Sequence, residues 1–264
     1  MYTTHLSTLL DTGYPEQVKI MEVRDHHATV LNGMVSTQKE PMMVIEATLG
    51  LAGGMGGFLG ARQNLVVEGA DDVMILYKLS GVLQNSQEAG LSDRIFLIPA
   101  KGASKTPMYA GFMVGNQFDA AVLLDSDPAG EQAAKKIREQ FLKDLAEDAG
   151  TRFRILMLGD AVSTAQNEFA IEDLFPVGFY LECVNEAHGT NITEEDLPTD
   201  GSDQLCKRAA YALVRTGRAG ELDKQRITQA MLRRFDQMKV KDDLPHGIYA
   251  KLRPLIDRIN AAFS

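Results

Sequence analysis

The hydrophobic positions of this chain change period several times, and each change marks an element. Val18 to Val23 and Ala28 to Leu31 are short apolar and β-branched runs around Arg24 to His27, which predicts a hairpin. Residues 41–61 are apolar and rich in small residues, including Gly50, Gly53, Gly54, Gly56, Gly57 and Gly60. No Gly-Lys-Ser/Thr closes that run, so it is not a phosphate-binding P-loop and reads as a close-packed helix or a connector. From Arg62 the pattern alternates. Leu65 to Val67, Ile95 to Ile98, Ala121 to Leu124 and Arg154 to Leu158 are buried-strand runs. Between them lie helical spacings: Val73, Leu76, Leu79 and Leu83 over 72–83, a third stretch over 105–114, and Ala133, Ile137, Phe141 and Leu145 over 129–146. Strand and helix in alternation predict an α/β fold, a mostly parallel sheet flanked by helices.

After Pro176 the alternation stops. Residues 178–183 fit either a strand or a helix, and Thr190 to Ser202 is a polar loop. The remainder reads as helices over 203–215, 223–237 and 247–262, with Asp223 a plausible N-cap for the second. A C-terminal helical subdomain therefore follows the α/β region.

Two strand runs end in acid. Asn64-Leu65-Val66-Val67 leads into Glu68-Gly69-Ala70-Asp71-Asp72, and Ala121-Val122-Leu123-Leu124 leads into Asp125-Ser126-Asp127-Pro128-Ala129-Gly130. Parallel strands gather such ends along one edge, where ligands bind, and clustered carboxylates suit hard divalent cations. Glu68 at a strand end and Asp72 one turn into the next helix can aim at one ion, with Gly69 allowing the turn between them. In extended backbone Asp125 and Asp127 point the same way across Ser126. Gly130 lets a phosphate approach the start of the following helix, and Glu172, after another apolar stretch, can join the group. Acid at a helix start is also stabilising by itself through the helix dipole; it is the order of these pieces that argues for a shared site.

Charge changes this picture only in its distribution. The chain of 264 residues carries a net charge of −9, which by itself argues against nucleic acid. Residues 203–264, however, hold 13 Lys and Arg against 7 Asp and Glu, while residues 1–202 hold 14 against 29. The acid lies with the proposed cation site and the base in the tail, where phosphate contacts or a solvated helical face both account for it. Cys183 and Cys206 form no CxxC pair and read as free thiols of a cytoplasmic protein. No stretch has the length of a membrane span, and Met1-Tyr2-Thr3-Thr4-His5 lacks the features of a secretory signal.

A strand-end Glu, a glycine turn at Gly102 and a later Asp-x-Asp resemble the TOPRIM domain, a Rossmann-like fold found in primases, topoisomerases and nucleases. Leu65 to Asp72 together with Ile171-Glu172-Asp173-Leu174 is similar to the OLD (overcoming lysogenization defect) family of ATP-dependent nucleases, in which a TOPRIM nuclease follows an ABC-type ATPase. Tyr2-Thr3-Thr4-His5 resembles the ATPase switch segment of that family, with His5 at the γ-phosphate-sensing histidine. The resemblance implies four regions: 1–40, the last strands of an ATPase domain; 41–61, a connector; 62–182, the TOPRIM catalytic domain; and 183–264, the helical subdomain.

The same resemblance implies a metal-dependent DNA endonuclease that nicks or cleaves phosphodiesters with two divalent cations, Mg²⁺ or Mn²⁺, with Ca²⁺ able to occupy the site. Glu68, Asp72, Asp125, Asp127 and Glu172 would hold the cations, Glu172 from a late strand. Lys224, in Leu222-Asp223-Lys224-Gln225-Arg226-Ile227, would be catalytic with Glu68. DNA, the ATPase domain of a full-length protein and a helicase-like partner in phage defence are the implied partners, with no membrane. Alternatives left open are a primase-like nucleotidyl-transfer domain, a receiver-like domain and a non-catalytic metal-binding interaction module. No Walker A lysine or Walker B acid accompanies His5, so the pure chain is expected to show no ATP hydrolysis; measured turnover above a buffer blank would refute this.

Overall fold

A computed structural model describes residues 20–24, 27–31, 63–115, 118–142, 153–216 and 222–264. The chain divides into two compact units at the Ala61/Arg62 boundary. In the first, β1 (Ile20–Arg24) and β2 (His27–Leu31) pair antiparallel with Arg24 opposite His27, the expected hairpin. His5, the connector at 41–61 and the last turn of the helix proposed over 129–146 lie outside the described residues.

The second unit is built on a four-stranded parallel sheet. Its strands are β3 (Gln63–Val67), β4 (Ile95–Pro99), β5 (Asp119–Leu124) and β6 (Phe153–Met157), in the order β4-β3-β5-β6. The two central strands are almost wholly buried, which is why they read as continuous apolar runs with no alternation. The chain steps outward from β3 to β4, then returns past β3 to β5. The order thus reverses at β3, and the crevice between the carboxyl ends of β3 and β5 is the switch point at which open α/β sheets bind ligands.

Helices α1 (Ala70–Asn85), α2 (Thr106–Gly115) and α3 (Pro128–Ile137) follow β3, β4 and β5. A wider turn over Arg138–Leu142 continues α3. After β6 come the short α4 (Leu158–Val162), then α5 (Val177–His188), α6 (Leu205–Arg215), α7 (Lys224–Phe235) and α8 (Ile248–Ala261). Residues 178–183, open between strand and helix in the sequence, belong to α5. Among the described residues no helix is long and apolar enough to cross a membrane.

The expected late strand carrying Glu172 is not formed. Phe169 makes a single antiparallel bridge to Ser126, with paired backbone hydrogen bonds of 2.8 Å, and Ile171–Leu174 then coils into a 3-10 turn. Two features stop the strand. The Asp173 carboxylate accepts from the Ala170 amide at 2.7 Å and closes the turn, and Pro176 follows with no amide to pair.

The tail helices share one apolar core with the sheet, running from Leu65 to Phe263. Helix α7 is fastened at both ends. Phe235 stacks on Phe175 and Phe179, with centroids 5.5 and 6.0 Å apart. At the other end Asp223 caps the helix through the Arg226 amide at 3.0 Å, and its own amide donates to His188 Nε2 at the end of α5 at 3.2 Å. Phe235 is 2 % exposed, so Phe235→Ala is expected to lower stability by about 3–5 kcal/mol, read from the urea midpoint of the full chain; a change below about 1 kcal/mol would mean that α7 is held elsewhere.

Candidate metal centre

The edge of the sheet carries its acids because β3 and β5 end in register. Val67 pairs with Leu123, so Glu68 stands level with Leu124 and one residue short of Asp125. Glu68 Oε1 accepts from the Asp125 amide at 2.9 Å, joining the two strand ends directly. The Glu68 backbone is fixed in turn by the Gly102 amide, which donates to its carbonyl at 2.7 Å. Gly102 has φ +109°, a conformation that L side chains rarely adopt, so the glycine turn noticed in the sequence is a requirement of the backbone.

The other two glycines act differently from expectation. Gly69 has φ −129° and ψ 166°, ordinary extended backbone open to any residue. The acid after it needs no special turn: the Gly69 amide donates to Asp72 Oδ2 at 2.8 Å. Gly130 is needed for space. A Cβ there would lie 2.0 Å from the Asp125 carbonyl oxygen, so the protein's own strand end requires the glycine.

Around this edge the structure brings together Glu68, Asp71, Asp72, Asp125 and Glu172. Burial pushes Asp125 well above the usual carboxylate range, and the neighbouring charges of Asp72, Glu68 and Glu172 add to it. Asp72 is pushed up to about 7, by burial first and then by Glu172 and Glu68. Glu68 and Asp71 are also raised, mainly by burial. Asp71, in the sequence only an additional acid, is held by the buried Thr228 hydroxyl of α7.

The positive charge opposite them comes from Lys224, at the first position of α7. Its ammonium lies 3.3 Å from Glu172 Oε1 and faces Glu68, Asp71, Asp72 and Asp125, while its side chain keeps 58 % of its surface exposed. Glu172, more than any other neighbour, raises the Lys224 pKa, so the group stays charged. The residue with the least distinctive sequence signal is thus the ammonium that meets the acidic group, at Glu172. Asp223, the cap that precedes it, was the legible part.

Asp127 stands at the margin, in range of Glu68. Extended backbone predicted that it would point with Asp125, but its Oδ1 turns to cap α3, accepting from Ala129 and Gly130 amides at 3.0 and 2.9 Å. Its Oδ2 meets Lys207 of α6 at 3.2 Å. Burial opposes its ionisation, but the Gly130 amide and Lys207 outweigh it and hold the carboxyl below its usual range.

Further residues that no sequence motif singled out for the site frame it. Lys207 also meets Glu168, at 3.3 Å, and Ser202 donates to the same Glu168 oxygen. The 5 % exposed Asp173 accepts from the Ala170 amide and from the Leu205 amide at the start of α6, both at 2.7 Å. Lys251 of α8 donates to the Asp173 carbonyl at 2.6 Å. Asp173, next to Glu172, therefore ties the 3-10 turn to two helices.

An all-oxygen donor set with an excess of buried negative charge has the chemistry that a hard divalent cation satisfies. As the side chains stand, no group of three or more His, Cys, Asp or Glu among the described residues is arranged to hold a metal ion; the carboxylates are tied to backbone amides and to Lys224. Cys183 and Cys206 are buried, and burial pushes their thiols up to about 11 and 12, so neither supplies a thiolate at neutral pH. No family model, curated protein or solved structure matches the chain in searches of each.

Because Gly130 carries the Asp125 approach, Gly130→Ala is expected to cost about 2–3 kcal/mol in thermal or urea unfolding. Retention of wild-type stability would show that the strand end can move away from the helix.

Proposed function

We propose that the chain is the catalytic region of a divalent-cation-dependent nuclease acting on DNA phosphodiesters, the TOPRIM-type chemistry that its acidic motifs resemble. One observation carries the reading. The ammonium of Lys224 meets Glu172 beside the strand-end carboxyls of Glu68 and Asp125, at the switch point of a parallel sheet. Ligand cations and a phosphate need opposite things from a protein: the first need carboxylate oxygens, the second a positive charge. Both are present within one crevice.

A bound Mg²⁺ or Mn²⁺ supplies a Lewis acid that activates water and stabilises the leaving oxygen. Glu68, Asp72, Asp125 and Glu172 would hold it. Lys224 would stabilise the negative charge that builds on the phosphoryl oxygens. Glu172 orients that ammonium as well as contributing its own oxygens, and the cap at Asp223 fixes the helix from which it projects. The crevice lies beside α6 and α7, whose Arg215 and Arg226 would supply base for the flanking phosphates. Tyr180, a described tyrosine in range of Glu172, is 1 % exposed and burial holds its phenol well above its usual range, so hydrolysis is favoured over a covalent tyrosyl intermediate.

Plasmid nicking with Mn²⁺ or Mg²⁺ tests this. The wild-type chain is expected to relax or linearise supercoiled DNA and to stop on addition of EDTA. Glu68→Ala and Asp125→Ala are each expected to lose about 100-fold or more, and Lys224→Ala about 100- to 1000-fold. Full activity in the two carboxylate variants from clean preparations would overturn the assignment.

A further inference from the structure

Asp127 differs from the other carboxylates of the centre in how its oxygens are used. Oδ1 is taken by the Ala129 and Gly130 amides as the cap of α3. Oδ2 meets the Lys207 ammonium at 3.2 Å and the Gln204 side-chain amide at 3.5 Å. Lys207 is held in turn by Glu168 at 3.3 Å, and Glu168 by the Ser202 hydroxyl. An ammonium cation thus already stands between two carboxylates, Asp127 and Glu168.

We infer that the Lys207 ammonium occupies the place of a second cation at Asp127, so that the centre takes up one divalent ion, held by Glu68, Asp72, Asp125 and Glu172. The inference rests on the proposed metal-dependent reading and fixes the number of ions in it. Two further features support it. Lys207 is no loose arm: it lies two residues beyond Leu205, whose buried amide is bound by Asp173 at 2.7 Å, so the start of α6 is fixed relative to the site. Charge balance also separates the two lysines. Lys207 faces Asp127 and Glu168, and Asp127 is further satisfied by amide dipoles. Lys224 faces five carboxyls and Lys207 two, so carboxyl oxygens remain for a divalent ion beside Lys224 and none at Asp127. A second divalent ion at Asp127 would have to expel Lys207 or sit against it, with like charges a few ångströms apart.

The test is the number of Mn²⁺ ions bound per chain, from titration calorimetry with free Mn²⁺ followed by electron paramagnetic resonance, on the full chain. The wild type is expected to bind one. Asp127→Asn keeps an oxygen for the helix cap and is expected to keep that one ion. Lys207→Gln, a change at an exposed side chain, vacates the place at Asp127 and is expected to bind two. Two ions in the wild type falling to one in Asp127→Asn, loss of the single ion in Asp127→Asn, or one ion in Lys207→Gln would each overturn the inference while leaving a metal centre in place. Absence of Mn²⁺ binding by the wild type would instead overturn the metal-dependent reading, and the inference with it.

Discussion

The rest of the structure depends on a charge problem at the end of the parallel sheet. Register places Glu68 and Asp125 side by side where β3 and β5 finish, and the first turn of α1 adds Asp71 and Asp72. In a partly buried crevice, ionised carboxylates repel one another and lose water, and both effects raise the cost of ionising them. A sheet with only its own helices would pay that cost without compensation. Here the chain continues for about eighty residues beyond α5, and its last helix but one returns to the crevice as α7 with Lys224 at the tip.

Much of the tail packing follows from that delivery. The stack of Phe235 on Phe175 and Phe179 anchors one end of α7, and the Asp223 amide on His188 anchors the other. Thr228, one turn into the helix, reaches Asp71. Asp173 does the same for α6: one buried carboxylate binds the Ala170 and Leu205 amides, so the turn carrying Glu172 and the helix carrying Lys207 are held by a single side chain. Burial pushes Asp173 up to about 6, and its two amide hydrogen bonds oppose the shift. The crevice is therefore framed by rigid elements that meet at a few polar anchors over a shared apolar floor, the arrangement a preorganised site needs.

Two glycines illustrate how a correct residue can have a different physical reason. At Gly102 the turn expected from the sequence is a true φ requirement. Gly130 is needed because the Asp125 carbonyl presses on it, which links the shape of the α3 start to the aim of a site carboxylate. Asp127 shows the converse. Alternation along an extended strand pointed it at the centre, but the strand ends at Leu124, and Asp127, though its own backbone is still extended, is the N-cap of α3, whose first amides take its oxygen.

By itself the sequence determined the α/β alternation, the hairpin over 20–31, the helical tail and the two acidic strand ends. These are consequences of period and local chemistry: buried parallel strands need continuous apolar runs, amphipathic helices need a stripe, and capping residues act on the next few amides. Tertiary structure alone decided that Asp71 pairs with Thr228, that Lys224 meets Glu172 and that Lys207 meets Asp127. Those outcomes turn on contacts between residues tens to more than a hundred positions apart, and a charged side chain at a helix start looks the same in sequence whether it faces water or a distant carboxylate.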